Sequence, residues 1–205
     1  MIPINSKTKK ASKLDAFAHM QALHRGETLS TPQVESLLLY FAPPMPKKAK
    51  TAMEWLAKAA GKEDVRFYLN YIWVGADGVG YGTDGHAAHR AQLEGVAEGF
   101  YCPKTLLPAT NVDGTYPNME RLFARGETHY TVDYNELSSN MLNGGVATYS
   151  HEQSHVNKVL LDRAMNGDHQ PITMEAVPSG ASTALHKWYG SNEFGTFLVM
   201  GIRDV

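Results

Sequence analysis

Residues 66–92 read RFYLNYIWVGADGVGYGTDGHAAHRAQ, and this stretch holds the densest β-strand signal in the chain. Most residues from Phe67 to Val74 are aromatic or β-branched, which predicts a strand with one strongly apolar face. The step Asp77-Gly78 takes positive φ at little cost and therefore predicts a tight hairpin turn. A second such step, Asp84-Gly85, predicts a bend before a new extended segment from His86 to Ala91.

The segments on either side of this stretch predict helices first and strands later. Apolar residues at helical spacing predict helices at 11–24, 31–41, 46–60, 135–142 and 156–166. Strand-like runs occur at 99–103, 128–133, 146–149, 172–176, 184–189 and 194–202. Strands that follow helices, twice over, predict an α+β fold whose helices pack on antiparallel sheet.

Composition narrows the class of protein. The 205 residues are 43% hydrophobic, which is enough for one large domain or two small ones. No apolar run approaches the ~20 residues that span a bilayer, and the N-terminus is too polar for a secretory signal, so we expect a cytoplasmic protein without a membrane partner. The single cysteine, Cys102, excludes an internal disulfide and a cysteine zinc cluster, and its aromatic neighbours predict a buried structural role.

The formal net charge of -2 argues against a protein that coats nucleic acid through its overall charge. Lysines nevertheless crowd the first third of the sequence, so a local positive surface is compatible with the composition. No motif for an organic cofactor is present, and we expect none.

One motif suggests a metal. His151-Glu152-Gln-Ser-His155 satisfies the HExxH pattern, in which two histidines one helical turn apart bind Zn²⁺ and the glutamate deprotonates the bound water. A zinc-dependent hydrolase is therefore an alternative function, with His169 or Glu175 as a third ligand. The preceding glycines and strand-like residues argue against it, because the motif needs helix on both sides.

Five segments together resemble the bacterial DNA polymerase III β subunit, the sliding clamp. RFYLNYIWVGADGVGYGTDGHAAHRA is similar to the clamp segment in which a YLNG-like strand and a turn lead to the signature ATDGHRLA. The other four segments follow in the clamp's order, namely EGFYCPKTLL, VDGTYPNMERLF, VNKVLLDRAMNG and GTFLVMGIRDV. The resemblance covers residues 46–205 and leaves 1–45 as a tail with a helical extension.

The resemblance implies a DNA-clamp-like domain of antiparallel sheets with helices packed on one face, and a non-enzymatic role as a DNA-associated replication accessory factor. Such a protein binds double-stranded DNA through phosphates, without reading bases, and closes a ring by self-association. The basic residues that map to the DNA side are Lys47, Lys50, Lys58, Lys158 and Arg163. Thr83, Asp84, Gly85 and His86 match the signature turn, which we interpret as a structural corner.

The sequence also departs from the clamp pattern. A clamp subunit carries three such domains, and this chain has room for one, as expected of a phage or plasmid product. Ala87 and Ala88 replace the Arg-Leu pair that helps to form the clamp's pocket for partner peptides. The chain is therefore either a clamp that works with DNA or a clamp-fold interaction module that binds and inhibits a host protein.

Overall fold

The computed structural model describes residues 13–41, 44–109, 112–124, 129–142, 145–151, 154–177 and 185–202. The chain divides into two units, Met1–Pro44 and Met45–Val205. The first contains the helices α1 (Lys13–His24) and α2 (Thr31–Phe41), at the positions predicted from the apolar spacing. No helix in the described part of the chain is both long and apolar enough to cross a bilayer.

The second unit contains α3 (Lys47–Ala59), β1 (Ile72–Val74), β2 (Val79–Thr83), β3 (Ala87–Gln92), β4 (Gly99–Tyr101), α4 (Met119–Phe123), β5 (His129–Val132), β6 (Ser138–Leu142), β7 (Val146–His151), β8 (Ser154–Asn157), α5 (Lys158–Met165), β9 (Ile172–Val177), β10 (Leu185–Asn192) and β11 (Gly195–Ile202). The strands form an 11-stranded sheet with the order β4-β1-β2-β3-β11-β10-β9-β5, and β8 joins it beside β11, followed by β7 and β6. Each of these pairings is antiparallel. The predicted α+β class, with helices on antiparallel sheet, is confirmed.

Two glycines on β2 bring α3 close to the sheet. A Cβ added at Gly82 would lie 2.2 Å from the backbone oxygen of Leu56, and one at Gly80 would lie 2.7 Å from the Leu56 side chain. Successive residues of a strand face opposite sides, so Gly80 and Gly82 define the inner face of the sheet. The side chain of Tyr81 lies on the outer face, where it bonds to Glu120 of α4.

Helices α3 and α5 share this inner face. The Trp55 indole donates a hydrogen bond to the Ala164 backbone oxygen at 2.9 Å and stacks on His89 of β3, with ring centroids 4.2 Å apart. His89 pairs in register with Phe197 of β11, which lies in the same buried cluster as Leu161 of α5. The two helices therefore cover one continuous core, and burial of this cluster positions both of them.

The predicted strand at 67–74 is wrong in its first half, because Phe67–Asn70 forms a 3-10 helix. Asn70 accepts a hydrogen bond from the Asp64 backbone N–H and donates one to the Asp64 carbonyl, which closes the segment on itself. The aromatic residues therefore cluster around a turn and do not alternate along a sheet.

Two later helix predictions also need correction. The segment 135–142 is a 3-10 helix at Tyr134–Glu136, closed by a capping box from Asp133, and then the strand β6, which pairs with β7. The last helix begins at Lys158, because 154–157 pair with β7. Asn157 caps that helix by accepting a hydrogen bond from the Leu160 N–H at 3.2 Å.

Candidate DNA-facing surface

A row of lysines follows the solvent side of α3. Met53 and Leu56 are fully buried against the sheet, whereas the predicted residues Lys47, Lys50 and Lys58 are exposed. This division follows from the helical period, since residues three, four and seven apart share a face. The packing of α3 on the inner face of the sheet thus presents the lysines to solvent as one stripe, which we call the lysine row.

Two lysines of this row contact neighbouring side chains that would compete with a phosphate for them. Lys50 lies 3.9 Å from Glu54, one helical turn away, and both side chains are more than half exposed. Lys58 donates a hydrogen bond to the Asn166 side chain just beyond α5. An exposed pair of this kind contributes little to stability and exchanges readily with another anion, so the row keeps its capacity to bind phosphate.

The two predicted residues on α5 are in a different situation. The Lys158 ammonium bonds to the Asp162 carboxylate at 2.8 Å and to the Tyr149 hydroxyl, and it lies 4.1 Å from the centre of the Tyr149 ring. The hydrogen bonds that Lys158 donates to Asp162 and Tyr149 raise the pKa of Lys158. The positive charge of Lys158 is therefore paired with the Asp162 carboxylate on the same helix.

Arg163 is engaged in the same way. Its guanidinium donates to the Asp84 carboxylate at 3.0 Å, and both side chains are about three quarters buried, with relative exposures of 25% and 22%. The structure thus joins a predicted DNA-facing residue to the predicted signature turn. This contact ties α5 to the loop between β2 and β3.

The signature turn is a closed hydrogen-bonded corner. The Asp84 carboxylate accepts the backbone N–H groups of His86 at 2.9 Å and Ala87 at 2.8 Å, while Gly85 has a φ of +88°. The Thr83 hydroxyl donates to the Ala87 carbonyl at 2.7 Å. Burial raises the pKa of Asp84, but these two N–H donors and Arg163 outweigh it and lower the pKa overall.

The HEQSH motif does not form a helix in the residues that the structure describes. His151 ends β7 and His155 lies in β8, where His155 is the register partner of Ser150 and its Nδ1 lies 2.7 Å from the Ser150 hydroxyl oxygen. Glu152 falls outside the described residues. Of the two candidate third ligands, His169 stacks on Tyr134, and Glu175 lies 3.9 Å from Lys187.

This arrangement lacks the single helix face from which a zinc protease projects both histidines. Within the described ranges, no group of three or more His, Cys, Asp or Glu side chains is placed to hold a metal ion. The zinc alternative therefore has no geometric support from the motif that suggested it.

Sequence reasoning missed the carboxylates that neutralise α5. The Lys158–Asp162 pair could have been predicted, because the two residues are four positions apart on a predicted helix. The Arg163–Asp84 pair joins residues 79 positions apart, and no local pattern indicates it. Because Lys158 and Arg163 of α5 are paired with carboxylates, the exposed positive charge of the predicted DNA side comes mainly from the lysines of α3.

No protein-family model and no curated protein matches the chain. Solved structures are similar to it at low sequence identity, among them three from Pseudomonas aeruginosa. The chain is similar to the DNA polymerase sliding clamp from Pseudomonas aeruginosa over 86% of its length and 70% of that chain, with 14% identity and a TM-score of 0.49. It is similar to the sliding clamp from Pseudomonas aeruginosa with ligand over 86% of its length and 70% of that chain, with 15% identity and a TM-score of 0.48. It is also similar to the DNA polymerase III subunit beta from Pseudomonas aeruginosa, over 76% of its length and 65% of that chain, with 15% identity and a TM-score of 0.46.

Proposed function

We propose that the protein is a non-enzymatic, sliding-clamp-like accessory factor that associates with double-stranded DNA through the lysine row of α3. The observation that carries this proposal is the stripe of exposed lysines on a helix whose apolar face is buried against the sheet. Lysines at this spacing meet successive phosphates without reading bases, so the association is independent of sequence and weakens with salt. The resemblance of the sequence to clamp subunits supports the accessory role in replication.

The test is duplex binding followed by fluorescence anisotropy at several salt concentrations. Replacing Lys47, Lys50 and Lys58 together by Glu should weaken binding more than about tenfold and flatten the salt dependence, since each lost phosphate contact removes about 0.9 from the logarithmic slope. Arg121→Glu makes the same type of charge change on α4 and is the matched control. Equal losses for both variants would contradict a DNA surface on α3.

The control lies on the other face of the sheet, because α4 contacts the outer face and α3 packs on the inner face. Tyr81 and Arg90 are register partners on the outer face of the sheet, and Arg90 lies 3.2 Å from Glu120 of α4. Arg121 is exposed on the same short helix. A protein that binds DNA through α3 should therefore tolerate Arg121→Glu.

The contribution of α5 can be measured separately. Asp162→Asn keeps the shape of the side chain but removes the anion that holds Lys158, so DNA affinity should rise about threefold if α5 faces the duplex. Unchanged affinity would confine the DNA contact to α3.

A clamp built from single-unit chains needs several copies, and we propose self-association of a phage or mobile-element product in the host cytoplasm. Light scattering with and without DNA measures the assembly. A mass that stays at one chain under both conditions would exclude a ring.

One surface favours a second candidate, an interaction module that binds a host protein. Val65 is 98% exposed and Phe67 53% exposed, and they flank Arg66, which is anchored to Asp64. Apolar side chains on a fixed loop lose little entropy on binding. A host protein recovered from bacterial lysate by the native chain and lost with Val65→Asp would support this candidate, and equal recovery would reject it.

A further inference from the structure

A cleft of about 490 Å³ lies at the C-terminal end of α3. Its lining includes Ala57 of the helix, Ala60 just beyond it, Cys102 and Pro103 of the loop after β4, and Tyr71. Cys102 is half-buried with a free thiol, and not buried as the sequence predicted, because it borders this opening. The volume falls within the ~300–1,000 Å³ that small-molecule sites occupy.

Both walls of the cleft are fixed by hydrogen bonds. On one side, the Gly61 N–H donates to the Leu69 carbonyl at 2.8 Å, which closes the loop that leads to Tyr71. On the other side, the Cys102 N–H donates to the Leu107 carbonyl at 2.9 Å, and the Cys102 carbonyl accepts the Leu106 N–H at 2.8 Å. The Tyr71 ring is itself packed on Phe67, 5.6 Å between centroids. The cleft is therefore preorganised.

The charges around the cleft continue the lysine row. Ala57 lies seven residues after Lys50 on α3 and directly precedes Lys58, so the lysine row ends beside the cleft. Beyond them, Lys62 and Lys104 stand exposed at the rim, with Glu63 as the acidic lining residue. A ligand with an anionic backbone and a planar apolar group matches this arrangement.

We propose that this cleft binds an unstacked base of single-stranded DNA, with its neighbouring phosphates on Lys62 and Lys104. Aromatic side chains beside a basic track are the general means by which proteins hold single strands, and here Tyr71 supplies the aromatic surface. This inference rests on the proposed DNA association and extends it from duplex to the single strand that adjoins a primer end. The α3 lysines hold the duplex, and the cleft holds the strand that leaves it.

The single cysteine allows a direct test. Alkylation of Cys102 by a maleimide is followed by mass spectrometry on the full-length protein, alone or with an oligo-dT of about 12 nucleotides. Oligo-dT should slow the reaction several-fold. A blunt duplex, an abasic oligonucleotide of the same length and free thymidine monophosphate should protect less, because none of them offers an unstacked base joined to several phosphates.

The outcomes separate this inference from the proposed function. If the duplex binds through the α3 lysines but oligo-dT leaves the alkylation rate unchanged, the cleft inference fails alone. Equal protection by the abasic strand shows that the cleft holds no base and also overturns it. Protection by thymidine monophosphate equal to that by oligo-dT would identify a free-nucleotide site in its place. If no DNA binds, both proposals fail.

Variants supply a second measurement that does not depend on cysteine reactivity. Lys62→Gln with Lys104→Gln should lower the affinity for oligo-dT several-fold and leave duplex affinity nearly unchanged, with Arg121→Gln as the control. Ala57→Phe, at a half-buried position, fills the cleft and should have the same selective effect. A parallel loss of duplex and oligo-dT affinity in these variants would contradict a separate single-strand site.

Discussion

At the scale of single residues, His89 shows how the core constrains chemistry. Its Nδ1 lies 2.9 Å from the Trp55 carbonyl oxygen, and because a carbonyl only accepts, Nδ1 carries the proton of the neutral ring. Its Nε2 is buried without a hydrogen-bond partner in the described structure. Burial lowers the pKa of His89 from 6.5 to about 4. The side chain therefore acts as a neutral, stacked core group and not as a surface base.

A pH dependence of stability follows from this histidine. Between about pH 6.5 and pH 4 the unfolded chain binds a proton that the folded chain rejects, so the free energy of unfolding should fall by about 3 kcal/mol as pH drops through this window. Urea unfolding at about pH 7 and pH 4.5 measures it. His89→Phe keeps a ring against Trp55 and should show a smaller pH dependence, and an identical dependence in both proteins would disprove the assignment to His89.

The signature turn permits a second test at this scale. Asp84→Ala removes the acceptor of two backbone N–H groups and the partner of Arg163, so it should cost about 2–3 kcal/mol of stability. Asp84→Asn retains an acceptor oxygen and should cost less. Thermal unfolding of the two variants measures the difference, and equal losses would show that the charge, not the backbone bonds, holds the turn.

At the scale of secondary-structure elements, the contact between α3 and β2 determines the position of the lysine row. Gly82 allows the helix backbone to approach β2, because a side chain there would overlap the Leu56 carbonyl. The glycine pattern of VGYGT was visible in the sequence, and it reads as a strand weakened by glycine. That Gly82 leaves space for α3 depends on its contact with Leu56, which is 26 positions away in the sequence.

This contact predicts unequal costs for two similar substitutions. Gly82→Ala places a methyl group against backbone, which cannot move without displacing α3, and should destabilise the protein by about 3 kcal/mol. At Gly80 the nearest atoms are the ends of the Leu93 and Leu56 side chains, which can change rotamer, so Gly80→Ala should cost less. Chemical denaturation of both variants gives the comparison, and the reverse order would contradict this packing.

At the scale of the whole molecule, the second unit contains its own core. The buried cluster extends from Ala49 to Val199 and draws on α3, α5 and the sheet, all within residues 45–205. The sequence prediction placed the boundary after residue 45, where the resemblance to clamps ends.

Truncation tests this boundary. A chain of residues 45–205 should unfold in one cooperative transition and keep its binding to duplex DNA, because the lysine row and its supporting core are intact. A chain of residues 61–205 lacks α3 and should fail to fold, which is the control. Loss of cooperative unfolding in the longer chain would show that the first 44 residues are part of the core. Circular dichroism on heating distinguishes these results.

The sequence by itself determined the fold class, most helices and strands, and the stripe of lysines on α3, because these depend on periodicity and on turn residues close together in the chain. It predicted the wrong structure at Phe67–Asn70 and 135–142, where side-chain bonds from Asn70 and Asp133 override local propensity. Only the tertiary structure decided that Asp84 neutralises Arg163, that His151 and His155 lie on two different strands, and that Lys62, Tyr71 and Cys102 line one cleft. Each of these depends on distances between segments far apart in sequence, which sheet pairing and helix packing set and which no local pattern encodes.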